Sequence, residues 1–354
     1  MWTSILAKLE HHKRLDLSEA AAIWDELPLL ELGQWADRAR RLRADPEAAT
    51  YVVDRNINYT NVCSSRCRFC AFYRDAGAPD AYVLDREEIF RKIEETLAAG
   101  GSGILMQGGL HPALDVRYFE ELLRAIRRRY TLDLHCFSPP EIIHLSRISA
   151  IGVEECLRRL VAAGLTSLPG GGAEILSDEV RNRISPRKCS SGEWLHVMET
   201  AHRIGLKTTA TMMFGCGETL RQRLQHLDLL RSLQDRHGGF VAFIPWTFQW
   251  PKTELGREGW PEATAVEYLR WLALGRLFLD NFPTIQSSWV TQGLKIAQVA
   301  LAFGANDIGS VMLEENVVAA TGVSHRTSEA ELRRLIADAG FRPVRRDSVH
   351  RHLE

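Results

Sequence analysis

The stretch YVVDRNINYTNVCSSRCRFCAFYR, residues 51–74, opens on strand-forming residues and ends in a cluster of thiols. Its first ten residues are rich in β-branched and aromatic side chains, which suit a pleated, buried surface and predict a β-strand. In the loop that follows, Cys63, Cys67 and Cys70 fall within eight residues, spaced C-x3-C-x2-C, with Phe69 directly before the last. Cysteine thiolates are soft ligands that suit iron–sulfur clusters, zinc or copper(I). A structural zinc site normally closes with four protein ligands, often as two separated pairs, and no second pair exists in this sequence. Three thiolates on a four-iron cluster leave one iron open to a small ligand. The alternatives are zinc completed by a neighbour such as His111, or thiols that hold no metal.

Outward from this loop, short apolar stretches alternate with helical ones. GGSGILMQGG precedes VRYFEELLRAIRRRY, and LDLHCFSPP precedes EIIHLSRISA and VEECLRRLVAAG. LTSLPGGGAE precedes a helix near residues 178–183, and LKTTATMMFGCGE precedes TLRQRLQHLDLLRSLQDRH. GFVAFIPWTFQ, TIQSSW and GANDIGS precede AVEYLRWLALGRLFLDN, VTQGLKIAQVALAFG and LEENVVAATG. With the first strand this makes eight strand and helix pairs, the count of a (β/α)8 TIM-type barrel. Residues 1–50 read as an N-terminal helical extension, 51–324 as the barrel, and 325–354 as a C-terminal tail packed on it. The tail begins with HRTSEAELRRLIADAGF, a capped amphipathic helix.

Among 354 residues, 44 basic side chains face 45 acidic ones, so no net field recruits nucleic acid or an anionic membrane. A small-molecule substrate is the expected partner. The charged N-terminus and the lack of a run of roughly 20 apolar residues predict a soluble, cytoplasmic protein. Of seven cysteines, Cys136, Cys156, Cys189 and Cys216 are scattered singly, which is not a disulfide framework. The unusual polar and glycine clusters fall just after strands. In barrels of this kind that rim carries the active site, so the pattern predicts an enzyme.

The C-x3-C-x-aromatic-C spacing resembles that of the radical S-adenosylmethionine enzymes. The resemblance implies a [4Fe-4S] cluster held by Cys63, Cys67 and Cys70, with Phe69 as the aromatic residue. S-adenosylmethionine would chelate the open iron and be cleaved by the reduced cluster to a 5′-deoxyadenosyl radical, with electrons from a donor such as flavodoxin or ferredoxin. Gln107, Gly108 and Gly109 stand where the superfamily places a turn against the amino end of S-adenosylmethionine, and glycine permits that close approach. Met213 in TMMFGCGE is expected near the adenine. Glu174 and Arg187, or Arg181 or Arg183 in place of the latter, are suited to the ammonium and carboxylate of the cofactor, and Ser138 is a further expected contact.

NYTNVCSSRCRFCAFYR, FSPPEI, FIPWTFQ, SWVTQGLK and GANDIGSVMLEENVV together resemble the cyclic dehypoxanthine futalosine synthases of menaquinone biosynthesis. Aminofutalosine synthases and the enzymes that join tyrosine to the deazaflavin precursor of coenzyme F420 share the scaffold. The resemblance implies dehypoxanthine futalosine as substrate and hydrogen removal from C4′ of its ribose. The carbon radical would then add to the aromatic ring of the same molecule, and loss of an electron and a proton would restore aromaticity. Trp246, Thr247, Gln249 and Trp289 are the expected substrate contacts, and His135 or Glu141 the expected proton acceptor. One departure is Cys216 in FGCGET, where a histidine is common after the glycine. A noncatalytic zinc-binding scaffold is the reading outside enzymology.

Overall fold

The strand expected from residue 51 begins slightly earlier in the computed structural model, which describes residues 2–353. It runs as β1 (Ala48–Val52), breaks at Val53, and resumes as β2 (Asp54–Ile57). A parallel sheet follows in chain order from β2 through β3 (Gly103–Met106), β4 (Asp133–Cys136), β5 (Ser167–Leu168), β6 (Lys207–Phe214), β7 (Phe240–Thr247) and β8 (Thr284–Ile285). The ring is closed by β9 (Asp307–Ser310), which pairs with β1 through Thr50 and Val52 and meets Gln286, just past β8, at Asp307. The N–H groups of Val311 and Leu313 continue the seam, donating to the carbonyls of Val52 (2.8 Å) and Asp54 (3.1 Å). With β1 and β2 taken as one interrupted strand, this is the eight-stranded ring that the alternation predicts.

Parallel neighbours need crossover connections, and the helices supply them. The helix Val116–Arg129 is representative. Asp115 caps it, accepting the Tyr118 N–H at 3.1 Å, and Arg127, Arg128 and Arg129 sit at its C-terminal end, where the helix dipole favours cations. Phe119, Leu122, Leu123 and Ile126 recur at helical spacing and are buried against the sheet. Truncating one such leucine to alanine costs about 2–5 kcal/mol. The expected N-terminal extension is three helices, Trp2–Glu10, Leu17–Glu26 and Leu29–Arg43, clamped to the barrel by Trp24 stacked on Trp271 at 4.4 Å.

Two segments differ from expectation. LEENVVAATG forms only a 3-10 turn, Ala319–Thr321, because the Glu315 carboxylate takes the N–H groups of Val317, Val318 and Ala319, each at 2.8 Å, in place of helical partners. The segment thereby crosses the rim and brings Val317 over the cavity described below. The tail contains the expected helix, Glu329–Asp338, but then adds a strand, β10 (Arg342–Arg345), parallel to β1. Beyond it the chain turns into the barrel. Arg346 Nε donates to Asp307 Oδ2 at 2.5 Å, and the Ser348 N–H to Asp133 Oδ2 at 3.1 Å, so the tail forms the floor. No helix among the described residues is long and apolar enough to cross a membrane.

Candidate active site

Past β2 the chain is stitched into a closed loop. The Cys63 N–H donates to the Arg74 carbonyl (3.0 Å) and the Arg74 N–H to the Asn61 carbonyl (2.7 Å). The Arg74 guanidinium folds back on the carbonyls of Ala71, Phe72 and Tyr73, fixing the end of the loop. Cys63, Cys67 and Cys70 all face one cavity of about 250 Å3 at the carboxyl ends of the strands. Burial pushes the Cys67 thiol up to about 12, and Lys188 and the Ser65 hydroxyl offset this only in part. Burial likewise raises the Cys70 thiol. A thiolate in such a setting needs a cation against it, as a metal centre provides. Among the described residues no three Cys, His, Asp or Glu side chains converge as the ligands of a single ion do.

The turn after β3 lies against this loop so closely that side chains are excluded. A Cβ on Gly109 would stand 2.2 Å from the Val62 carbonyl oxygen, and one on Gly108 2.6 Å from the Tyr59 ring. Glu141 anchors the turn from below. Its Oε1 accepts the Tyr59 hydroxyl (2.7 Å) and the Gly108 N–H (3.1 Å), and its Oε2 accepts the Ser138 hydroxyl (2.6 Å). Burial pushes its carboxyl up to about 7 against the pull of these three donors. Gln107, Gly108, Gly109, Ser138 and Glu141 all line the cavity, as expected from their place after the strands.

On the opposite wall Glu174 is buried, and its Oε1 accepts from Lys188 Nζ at 2.7 Å. Its Oε2 has no partner. Lys188 stands 5.2 Å from the Phe69 ring centroid; burial disfavours its ammonium, but Glu174 and Cys67 outweigh this and raise its pKa. Arg187 is exposed and lies outside the cavity wall, so its expected place is taken by the next residue in the chain. Arg181 is committed to the carbonyls of Gly172, Ala173 and Cys189, and Arg183 to that of Cys216. Met213 lies in a small side cavity that also touches Phe69, Cys70, Trp246 and Gln249.

Below the outer cavity lies a second chamber of about 170 Å3 inside the ring, and Gln107 and Gly171 line both. Strand alternation puts Thr209 and Thr211 of β6 on its wall and turns Ala210 and Met212 outward. His135 of β4 faces this inner chamber rather than the thiols, with Nδ1 2.7 Å from Ser167 Oγ. Burial and the Arg346 charge drop its pKa to about 3, so the ring is neutral. Trp246 lines the outer cavity. Thr247 lies beneath the surface, its hydroxyl accepting from Gln292 at 2.6 Å and Gln249 at 3.0 Å. Trp289 touches neither cavity: it is core, with Nε1 donating to the Ser310 carbonyl at 2.8 Å.

Residues 57–230 match the radical SAM superfamily, and residues 237–354 match the CofH/MqnC C-terminal region. Over 344 residues the chain is 44% identical to cyclic dehypoxanthine futalosine synthase of Streptomyces coelicolor, covering 96% of this chain and 86% of that one. The chain belongs to the radical S-adenosylmethionine superfamily. The same-named protein of Halalkalibacterium halodurans is 43% identical, over 98% of this chain and 93% of that one. A relative with a different name, 5-amino-6-(D-ribitylamino)uracil–L-tyrosine 4-hydroxyphenyl transferase of Methanothermobacter thermautotrophicus, is 44% identical over 90% and 88%. Two solved structures share the fold at 17% identity. They are methylornithine synthase (TM-score 0.75, covering 96% of this chain and 97% of that one) and the FeFe-hydrogenase maturase HydG of Carboxydothermus hydrogenoformans (0.80, covering 99% and 80%).

Membership of this superfamily of enzymes implies a [4Fe-4S] cluster and S-adenosylmethionine. The outer cavity suits both: three thiols line it, a carboxylate oxygen is buried there without a partner, and glycines leave the backbone bare. Lys188, the Tyr59–Glu141 pair and the C-terminal floor are the parts that sequence reasoning missed.

Proposed function

We propose that this radical SAM enzyme converts dehypoxanthine futalosine to its cyclic product. The observation that carries this is the near full-length identity to two proteins of that name, together with thiols and a charged pair gathered in one cavity beside a polar chamber. Cys63, Cys67 and Cys70 would hold three irons of the cluster, whose separate corners suit thiolates that do not converge on one point. When bound, the cluster and S-adenosylmethionine supply a 5′-deoxyadenosyl radical able to take the hydrogen from C4′ of the substrate ribose.

The work of the chain is placement and exclusion of water. A zwitterionic amino acid end suits Glu174, whose free oxygen takes an ammonium, and Lys188, which takes a carboxylate. Glu141 fixes Gly108 and Ser138 beside it, and Met213 with Phe69 forms an apolar side pocket for the adenine. Trp246, which lines both the outer cavity and the side pocket, and Gln249, on the wall of the side pocket, would fix the aromatic part of the substrate. Proximity selects the hydrogen that is removed, since a primary alkyl radical attacks whatever lies nearest. Glu141, whose carboxyl burial raises to about 7 on the wall of the outer cavity, is the acceptor for the proton lost at the end; His135, held near 3, is the weaker base. Flavodoxin or ferredoxin would supply the reducing electron.

A second reading, transfer of the tyrosine aryl group to a ribitylaminouracil, is favoured by the equal identity to the Methanothermobacter transferase. Anaerobically reconstituted protein is incubated with each substrate set and products are followed by mass spectrometry. Cyclised futalosine product supports the first reading, and 5′-deoxyadenosine with the aryl-transfer product alone rejects it.

A further inference from the structure

A third and much smaller cavity, of about 10 Å3, adjoins the Gly108–Gly109 turn and has no thiol in its wall. A space of that size takes about one water molecule. Gly109, Leu110 and Glu141 line both this cavity and the outer one, so Glu141 is the ionisable group common to the two. Besides Glu141, the side chains in the small cavity's wall that can give or take a proton are Tyr59, His111 and His144; the rest of the lining is Gly109, three leucines and Phe119. His144 follows Glu141 by three residues on the helix Pro139–Ile148, a spacing that puts both on one face. Its Nε2 lies 2.9 Å from the His111 carbonyl oxygen, which can only accept, so the neutral ring carries its hydrogen there and leaves the Nδ1 lone pair open. The His111 ring is committed elsewhere, its Nδ1 accepting the Ala113 N–H at 3.1 Å. Glu141 is buried and His144 partly exposed, so the two join the interior to the surface.

We propose that His144 carries to solvent the proton that Glu141 collects, across a water held in this small cavity by Glu141, the Tyr59 hydroxyl and His144 Nδ1. The inference rests on the reading of Glu141 as the proton acceptor and adds the way out. A proton leaves the substrate for the Glu141 carboxylate. The carboxyl gives it to the water, and the water passes one of its own to His144 Nδ1. The imidazolium then yields a proton to bulk water, so one proton enters, one leaves, no electron moves, and Glu141 is a carboxylate again. Other groups near Glu141 do not divert the proton. Ser138 and Tyr59 already donate to it, burial raises the Cys136 thiol, and Lys188 is an ammonium bound to Glu174. While cofactor and substrate fill the outer cavity, the small one is the route left open. His144 touches neither, so it acts through Glu141 alone.

The test uses air-protected holoenzyme loaded with S-adenosylmethionine and dehypoxanthine futalosine while the cluster is oxidised, so that the outer cavity is filled and nothing turns over. At a pH below the range in which Glu141 ionises, exchange of its carboxyl hydrogen for deuterium is followed by infrared difference spectroscopy after transfer to heavy water. Loss of the band in Glu141→Gln assigns it. His144→Gln keeps a donor for the His111 carbonyl but cannot take up a proton. It is expected to slow the exchange about tenfold or more, with iron content and S-adenosylmethionine affinity within about twofold of wild type. On reduction, the same variant is expected to form less cyclised product per 5′-deoxyadenosine. A merely structural role does not slow exchange in a variant that keeps the hydrogen bond. Exchange at the wild-type rate in His144→Gln overturns the inference, as does loss of iron in step with slower exchange. If Glu141→Gln makes cyclised product at the wild-type rate, the reading of Glu141 as acceptor fails, and the exchange rates still decide the route. If wild type makes only the aryl-transfer product, the futalosine reading fails, and the same exchange measured with that substrate set decides it.

Discussion

The outer cavity is walled by loops and carries its charges as one incomplete pair, Lys188 on a Glu174 whose second oxygen is free, beside three thiols. The inner chamber is walled by strands, and the one cation among its described lining residues, Arg346, is already matched by Asp307. The difference separates two tasks within one barrel. Loops at the carboxyl ends of the strands can gather reactive groups without disturbing the sheet. The walls below them are fixed by the pairing of neighbouring strands. The outer cavity draws its lining from Asn56 to Val317, while the inner one is completed only by residues 346–350.

Substitutions that break this contrast rank by size. Cys63→Ala, Cys67→Ala or Cys70→Ala is expected to remove the cluster and all detectable turnover, measured as iron and sulfide per chain and as 5′-deoxyadenosine formed. Cys136→Ala, Cys156→Ala and Cys189→Ala are buried in the core and should keep their iron, losing only about 1–2 kcal/mol of stability in denaturant unfolding. Iron retained in the first set, or lost in the second, removes the distinction between cluster loop and core.

Next comes Glu174→Gln, which leaves Lys188 buried without its counter-charge and removes an acceptor from the cavity. S-adenosylmethionine affinity should fall about 10- to 100-fold with iron intact, read by equilibrium binding. A fall of less than about twofold contradicts the assignment of Glu174 to the cofactor. Glu141 gives a smaller, pH-dependent effect. Its folded pKa is raised to about 7 from an ordinary 4.5, so its contribution to stability is full below the ordinary value and is lost as pH rises through about 7. The thermal midpoint should therefore drift down between about pH 5 and about pH 8, and Glu141→Gln should flatten that drift. Arg187→Ala, at an exposed site, should change cofactor affinity by less than about twofold, whereas Lys188→Met should weaken it clearly.

These contrasts also show what a sequence discloses. The strand count was legible because each strand is a short apolar run between turn signals, and the cysteine loop because its ligands are local in sequence. Gly108 and Gly109 were legible as a bare-backbone turn, though the Tyr59 ring and Val62 carbonyl that forbid side chains there were not. Lys188 was missed because Arg187 is equally cationic, and only the path of the chain out of the helix Asp178–Ile184 decides which of two neighbours turns inward. Trp246 lies at the end of a strand and Trp289 just after one, yet the Trp289 indole packs into the core; position along the chain does not fix that direction. The floor was invisible. Nothing local in residues 346–350 marks them as barrel lining, since their partners Asp307 and Asp133 lie far away in the chain.

The central claim is that three thiols hold a cluster with one iron open to S-adenosylmethionine. Electron paramagnetic resonance of the reduced, air-protected protein, with and without S-adenosylmethionine, tests it most directly. A [4Fe-4S] signal that shifts when S-adenosylmethionine is added is the predicted result. A signal indifferent to S-adenosylmethionine, or a protein that carries zinc and no iron, contradicts it.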